Sequence, residues 1–205
     1  MKVTWLGKSG LKFDNGVVKA LINPASLEVG EYNMLLLGRS MSDAEMSVIK
    51  EILSCKNTPI TILCSRNVYS EISSLDTIHN VSMISPHSVW SEGGVTFYAV
   101  RAAHFDPHSV GFILDDSEKT YYVSGNTVYN FDVIDDVLDL VEDGVDYAFL
   151  PISGKSNNMN PKDAADFAYE IDAGCAIPVE HGYSNVSDFD FEDAKVMEIG
   201  VETEL

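Results

Sequence analysis

The stretch Leu35–Met46, LLLGRSMSDAEM, gives the clearest indication of how this chain folds. The continuous apolar run Met34–Leu37 is typical of a strand that is covered on both faces. After a short polar loop, Ser42 or Asp43 can cap a helix. The apolar positions of that helix recur at helical spacing: Met46, Ile49 and Leu53. The stretch therefore predicts a buried strand, a loop and a helix.

The segments around this stretch extend the pattern in both directions. Upstream, Asn15-Gly16 predicts a two-residue type I′ turn between strands at Leu11–Asp14 and Val17–Ile22. Downstream, short strands are followed by helices expected over Phe131–Val141 and Pro161–Ile171. Further strands are expected at 60–64, 88–90, 95–99, 110–114, 121–123, 147–150 and 175–179. The pattern predicts an α/β fold with two mixed sheets and helices outside both, in one domain spanning residues 1–205.

Charge and composition exclude several classes of partner. The 205 residues include 32 acidic and 13 basic side chains, which gives a net charge of −19. That charge would repel nucleic-acid phosphates and anionic membrane surfaces, so neither is an expected partner. No apolar run approaches the roughly 20 residues of a membrane span, and the N-terminus lacks a signal-peptide core. We expect a cytoplasmic protein whose three cysteines are free, buried thiols.

Polar residues follow three of the expected strands, at the points where those strands end. His104 follows the strand that ends near Arg101, Asn126 follows Tyr121–Val123, and His181 follows the strand that ends at Val179. Polar groups at neighbouring strand ends are a common way to build a site on a rigid sheet. Taken singly, each of these residues is more often a structural hydrogen-bonding group.

The order of seven sequence pieces gives a family resemblance. They are VTWLGKSGLKF (3–13), LINP (21–24), VTFYAVRAAH (95–104), YYVSGNT (121–127), DYAFLPISG (146–154), MNPKDAADFA (159–168) and AIPVEHG (176–182). In this order they resemble the metallo-β-lactamase superfamily, in its branch of small bacterial metal-dependent hydrolases related to L-ascorbate-6-phosphate lactonase. The resemblance covers nearly all residues from 1 to 183. It implies a four-layer αβ/βα sandwich with a dinuclear metal site at one edge.

The residues that this family uses to hold metal are largely replaced. The resemblance retains His104 and His181 as ligand positions. With Asp43 aligned to the aspartate of the family's THxHxDH loop, the three histidine positions of that loop are occupied by other residues, and two further aspartates have become asparagine. The replacements are Arg39, Met41 and Ala44 in the loop, Asn126 for the bridging aspartate, Asn23 in the IDP turn, and Lys8 in the WLG turn.

These replacements favour a pocket without metal. A catalytic zinc ion normally takes three protein ligands, and only Asp43 and His181 remain for a weak site. Asparagine keeps the shape of aspartate without its charge, and Lys8 and Arg39 supply fixed cations toward the same pocket. The sequence therefore predicts a protein of this fold that has no cofactor and is not a metal-dependent hydrolase. Such a pocket could bind a small anionic molecule or serve a regulatory role.

Two alternatives stay open at this point. One is a divergent hydrolase of the lactonase or phosphoesterase type, with a single weakly bound divalent metal or with His104 and His181 as general acid and base. The other is an interaction module that uses the acidic surface, although a spread charge excess is usually only a solvated exterior. The sequence leaves the oligomeric state open.

Overall fold

The first sheet holds the N-terminal half of the chain and the C-terminal strand. The structure, a computed structural model, describes residues 1–27, 29–75, 77–141, 143–155 and 157–205. Seven strands form this sheet in the order β13-β1-β2-β3-β4-β5-β6. Their bounds are β1 Lys2–Gly7, β2 Gly10–Asp14, β3 Lys19–Ile22, β4 Met34–Leu37, β5 Thr61–Cys64, β6 Asn80–Met83 and β13 Glu202–Glu204. The sheet is mixed, since β3 to β6 pair in parallel and the others pair antiparallel.

The second sheet holds the other six strands, in the order β12-β11-β10-β9-β8-β7. Their bounds are β7 Val89–Glu92, β8 Val95–Arg101, β9 Val110–Asp115, β10 Thr120–Val123, β11 Tyr147–Pro151 and β12 Cys175–Val179. Strands β10, β11 and β12 run parallel, and β7 to β10 form an antiparallel meander. Both sheets are therefore mixed, as the sequence predicts.

The helices cover the two outer faces, which gives four layers. Helices α1 (Asp43–Ser54) and α2 (Arg66–Ile72) pack on the first sheet, and α3 (Phe131–Leu140) and α4 (Pro161–Glu170) pack on the second. Between the sheets lies an apolar core in which the Phe13 ring packs edge-on against Phe149, with centroids 5.5 Å apart. Burial of such rings is the main stabilising contribution of this interface. The αβ/βα sandwich is the predicted fold.

Glycine at position 38 lets the two sheets approach at one edge. The carbonyl oxygen of Gly38, just beyond β4, accepts a hydrogen bond from the Val110 amide of β9 at 2.7 Å. A Cβ at Gly38 would overlap the Val110 carbonyl oxygen and lie 3.0 Å from the Phe112 ring. The contact therefore requires glycine. It brings the loop after β4 against the second sheet, where the candidate site lies.

Two local predictions differ from the structure. The connection from β2 to β3 has four residues, 15–18, of which Gly16 has positive φ and Asn15 does not. The type I′ prediction was wrong because the Asn15 side chain accepts the amides of Val17 and Val18, which closes a wider turn. All three cysteines are free, but only Cys64 is buried as predicted, since Cys55 is exposed and Cys175 is partly buried.

No helix within the described part of the chain has the length and apolar character needed to cross a membrane.

Candidate functional site

A cleft of about 890 Å³ opens at the edge where strand ends of both sheets meet. Its wall is formed by the β1–β2 turn and by the loops after β4, β8, β10, β11 and β12. The carboxyl ends of parallel strands are a frequent position for ligand sites in α/β proteins. The cleft is therefore the candidate functional site.

Five of the seven predicted site residues line this cleft. They are Lys8, Arg39, His104, Asn126 and His181. Met41, a predicted replacement for a loop histidine, lines it as well. Asn23 and Asp43 do not line the cleft. Asn23 is buried beneath it, and Asp43 is exposed at the first turn of α1.

Asn23 supports the cleft from below. Its side-chain Oδ1 accepts a hydrogen bond from the Gly38 backbone amide at 2.9 Å, and its backbone N–H donates to the Leu36 carbonyl oxygen. The residue has a left-handed backbone, with φ of 43°, and only 2% of it is exposed. An asparagine tolerates this conformation better than most side chains do. Asn23 is therefore a positioning residue that fixes the loop carrying Arg39.

The guanidinium of Arg39 is the centre of a hydrogen-bond network. Its Nε donates to Asn126 Oδ1 at 3.0 Å. Its Nη2 and Nη1 donate to the two carboxylate oxygens of Glu45, at 2.7 and 3.3 Å. The two side chains are only 12% and 17% exposed, so the charges are paired with little water around them. Most of the N–H groups of the Arg39 guanidinium are therefore already hydrogen-bonded within the protein.

Glu45 was missed as a site residue, although the sequence carries a signal for it. Ser42 and Glu45 form a capping box at the start of α1, in which each side chain bonds the backbone amide of the other. Burial raises the pKa of Glu45, but the hydrogen bonds from Arg39 and Ser42 and the charge of Arg39 outweigh it and lower the pKa to about 2. The pattern S-x-x-E at 42–45 could have identified the residue.

Glu180 lies on the opposite side of Asn126. The Asn126 Nδ2 donates to Glu180 Oε1 at 3.4 Å, so Asn126 connects Arg39 to Glu180. Burial raises the pKa of Glu180, and the charge of Arg39 and the amides of Asn158 and Asn126 only partly offset this. The other carboxylate oxygen, Glu180 Oε2, is buried, and none of the described residues donates a hydrogen bond to it. This carboxyl group therefore favours its neutral form more than an exposed glutamate does.

The two histidines present different nitrogens. His104 Nδ1 accepts the Asp106 amide at 3.1 Å and lies 3.2 Å from the Ser109 hydroxyl, so the neutral ring carries its hydrogen on Nε2. Burial and the charge of Arg39 lower the pKa of His104, and Asp106 partly opposes this. His181 Nε2 donates to the Pro178 carbonyl oxygen at 2.9 Å, so its neutral ring carries the hydrogen on Nε2 and the lone pair on Nδ1. The Nδ1 lone pair of His104 is engaged by these hydrogen bonds, whereas none of the described residues donates a hydrogen bond to Nδ1 of His181.

Asp106 is a second residue that sequence reasoning missed. Its carboxylate accepts the Ser40 amide and hydroxyl, the Asn67 amide at 2.9 Å and the His108 amide at 3.0 Å. It is 3% exposed. Although burial raises its pKa, these hydrogen bonds lower it below the ordinary value. Asp106 therefore ties the loop after β4 to the loop after β8, and no local sequence pattern marks it.

Lys8 and Lys155 are the cations of the cleft that remain available. Within the ranges that the structure describes, neither lysine ammonium lies within ion-pair distance of a carboxylate. Lys155 Nζ lies 4.2 Å from the centre of the Tyr183 ring, a cation–π contact. Lys155 was not predicted. It lies in the loop after β11, and that loop reaches the cleft because of the position of β11 in the second sheet, which local sequence does not reveal.

Three of the six non-glycine residues with left-handed backbone in the described part of the chain line this cleft or lie beneath it. Lys8, Asn23 and Glu180 have φ values of 48°, 43° and 47°. Each left-handed residue other than glycine costs on the order of 1 kcal/mol, so such residues persist where the surrounding structure fixes them. The Lys8 carbonyl oxygen accepts hydrogen bonds from the Trp5 indole N–H at 2.8 Å and from the Glu180 backbone amide at 3.2 Å, which hold the backbone of Lys8 and Glu180 in place.

The donor set does not fit a catalytic zinc ion. Among the described residues, no group of three or more histidine, cysteine, aspartate and glutamate side chains is arranged to hold a metal. Asn126 Oδ1 is occupied by Arg39, and His104 presents an N–H rather than a lone pair. Of the two cleft histidines, His181 has the arrangement of a metal-ligating histidine, with its second nitrogen bonded to a carbonyl.

No protein-family model and no curated protein matches the chain. Solved structures match over its full length. The metallo-β-lactamase fold protein YhfI from Bacillus subtilis has a TM-score of 0.79 at 15% identity, with 99% of both chains covered. Igni18, a metallo hydrolase from Ignicoccus hospitalis, has a TM-score of 0.78 at 15% identity, covering 98% of this chain and 97% of its own.

A third match is the isothiocyanate hydrolase from Delia radicum gut bacteria. Its TM-score is 0.79 at 12% identity, with 100% of this chain and 99% of that chain covered. At identities of 12 to 15% the likeness extends to the fold alone. Together with the two mixed sheets and their outer helices, it shows that this chain has the metallo-β-lactamase fold.

Proposed function

We propose that this protein binds a small anionic molecule in a cleft that has lost the metal site of its fold, and that it is not a metal-dependent hydrolase. The observation that carries the proposal is the position of the Arg39 guanidinium, which bridges Glu45 and Asn126. A fixed cation there offsets the negative charge that a metal would otherwise offset.

The charge of the cleft supports an anionic ligand. Among the described residues that line it, three are lysine or arginine and two are aspartate or glutamate. In the whole chain the numbers are 13 and 32, so the cleft reverses the balance of the molecule. Because Arg39 is paired with Glu45, Lys8 and Lys155 are the side chains that would contact the anion. A concave site with converging cations favours anions.

A metal titration tests the first half of the proposal. Purified protein is analysed for bound elements and then titrated with zinc, manganese and calcium by calorimetry. We expect less than stoichiometric metal in the purified protein, and zinc binding no tighter than in a His181→Ala variant. Stoichiometric zinc that disappears in that variant would overturn the proposal.

Anion binding tests the second half. We expect inorganic phosphate and acetate to raise the melting temperature of the protein, and Lys8→Met to abolish the shift. Lys162→Met, on the exposed face of α4, is the matched control and should leave the shift unchanged. Equal shifts in all three proteins would contradict a binding role for the cleft.

The divergent hydrolase remains the second candidate, on one observation. The neutral tautomer of His181 has its lone pair on Nδ1, in a cleft that also holds Glu180, whose raised pKa suits a proton donor. His104 does not share this role, because its Nδ1 accepts a backbone amide. Hydrolysis of an activated ester or lactone that is lost in His181→Ala and unaffected by chelator would favour this candidate.

A further inference from the structure

Large apolar side chains line the same cleft as the lysines. Phe105 is 74% exposed and Ile199 is 64% exposed, and Met41 and Trp5 also face the cleft. These residues come from four separate segments: β1, the loop after β4, the loop after β8, and the segment before β13. Exposed apolar side chains that converge from separate segments indicate a ligand-contacting surface rather than incidental exposure.

Two of these apolar side chains pack directly against the polar residues of the cleft. The Phe105 ring packs on His104, with centroids 4.2 Å apart. The Trp5 ring packs on His181 at 4.8 Å, and the indole N–H is bonded to the Lys8 carbonyl oxygen. The apolar surface therefore begins directly beside Lys8. A bare inorganic anion would leave this surface in water.

We propose that the ligand is an amphipathic anion, a carboxylate or phosphate attached to an acyl or aromatic group. This inference rests on the anion-binding function proposed above and adds the apolar part. Lys8 and Lys155 would contact the charged group, and Phe105, Ile199 and Met41 would cover the hydrocarbon. The volume of about 890 Å³ is within the range of clefts that hold organic ligands rather than single ions.

Trp5 provides a direct readout of binding. The chain has two tryptophans, and the other, Trp90, lies on β7 and does not line the cleft. In a Trp90→Phe background, fluorescence reports Trp5 alone. The probes are octanoate, its uncharged analogue octanamide, acetate and inorganic phosphate.

We expect octanoate to bind at least tenfold more tightly than acetate, since each buried methylene contributes a factor of about four. Phe105→Ser and Ile199→Ser should each weaken octanoate at least threefold and leave acetate unchanged. Val17→Ser, which removes a side chain that is 64% exposed in the β2–β3 connection, is the control and should change neither.

The outcomes separate this inference from the function on which it rests. If phosphate and acetate bind as tightly as octanoate and Lys8→Met weakens all three, the anion site stands and the amphipathic ligand is overturned. If octanamide binds as tightly as octanoate and Lys8→Met has no effect, the anion-binding function is overturned. Absence of binding by every probe would overturn both.

Discussion

Arg39 donates from Nε to the Oδ1 of Asn126 at 3.0 Å, across 87 positions of sequence. One residue follows a strand of the first sheet and the other follows a strand of the second, so the hydrogen bond joins the two sheets at the rim of the cleft. Because Asn126 is uncharged, it can donate to Glu180 while it accepts from Arg39. An aspartate could not do both, which gives a physical reason for the asparagine.

The first prediction concerns the Arg39–Glu45 pair. Arg39→Met should lower the free energy of unfolding by about 2 to 3 kcal/mol, because it leaves a half-buried carboxylate without its cation. Glu45→Gln, which keeps the capping box, should cost less. In urea denaturation the double variant should be more stable than the sum of the two losses predicts. Strict additivity would show that the pair contributes no coupling energy.

The second prediction is a pH dependence caused by Glu45. Its pKa is about 2 in the folded protein and about 4.5 in the unfolded chain, so its stabilising contribution is complete above that unfolded value. The contribution is lost as the pH falls from 4.5 to 2. We expect the stability difference between wild type and Glu45→Gln to be constant from pH 5.5 to 8 and to shrink below 4.5. A difference that grows with acid would contradict the pKa assignment.

The third prediction concerns Glu180, where the sign is opposite. Its folded pKa is raised above the ordinary value of 4.5, so ionisation at neutral pH destabilises the fold. Glu180→Gln should therefore raise the melting temperature at pH 8, and the gain should vanish as the pH falls below 4.5. Glu51→Gln, on the exposed face of α1, is the control and should show no such trend. A Glu180→Gln protein that melts earlier at pH 8 would refute the burial argument.

The fourth prediction tests Asp106 as a positioning residue. Asp106→Asn should lower the free energy of unfolding by about 2 kcal/mol, because it removes the charge from a carboxylate that accepts several hydrogen bonds. Ser40→Ala removes only one of those donors and should cost about 1 kcal/mol. Octanoate affinity should fall in Asp106→Asn, since the loop that carries Met41 is no longer fixed. An unchanged affinity would confine Asp106 to a structural role.

Much of the fold could be predicted from the sequence because the hydrophobic pattern is local. The run at Met34–Leu37 forms β4, and the expected strand at 175–179 has the bounds of β12, Cys175–Val179. Elements with weak patterns were missed, such as the short strand Glu202–Glu204, whose residues are mostly exposed. That strand forms because the N-terminal strand β1 offers it an edge, and such pairing leaves no local signal.

The candidate site was predicted less completely. The sequence by itself determined that residues 1–77 contain no histidine, and that Arg39, Met41 and Asn126 stand in a strand-end pattern that resembles a metal site. Only the tertiary structure decided that Arg39 pairs with Glu45, and that Lys155 joins Lys8 in the cleft. The physical reason is that ion pairing depends on the direction and reach of side chains from elements far apart in sequence, which the packing of the two sheets sets.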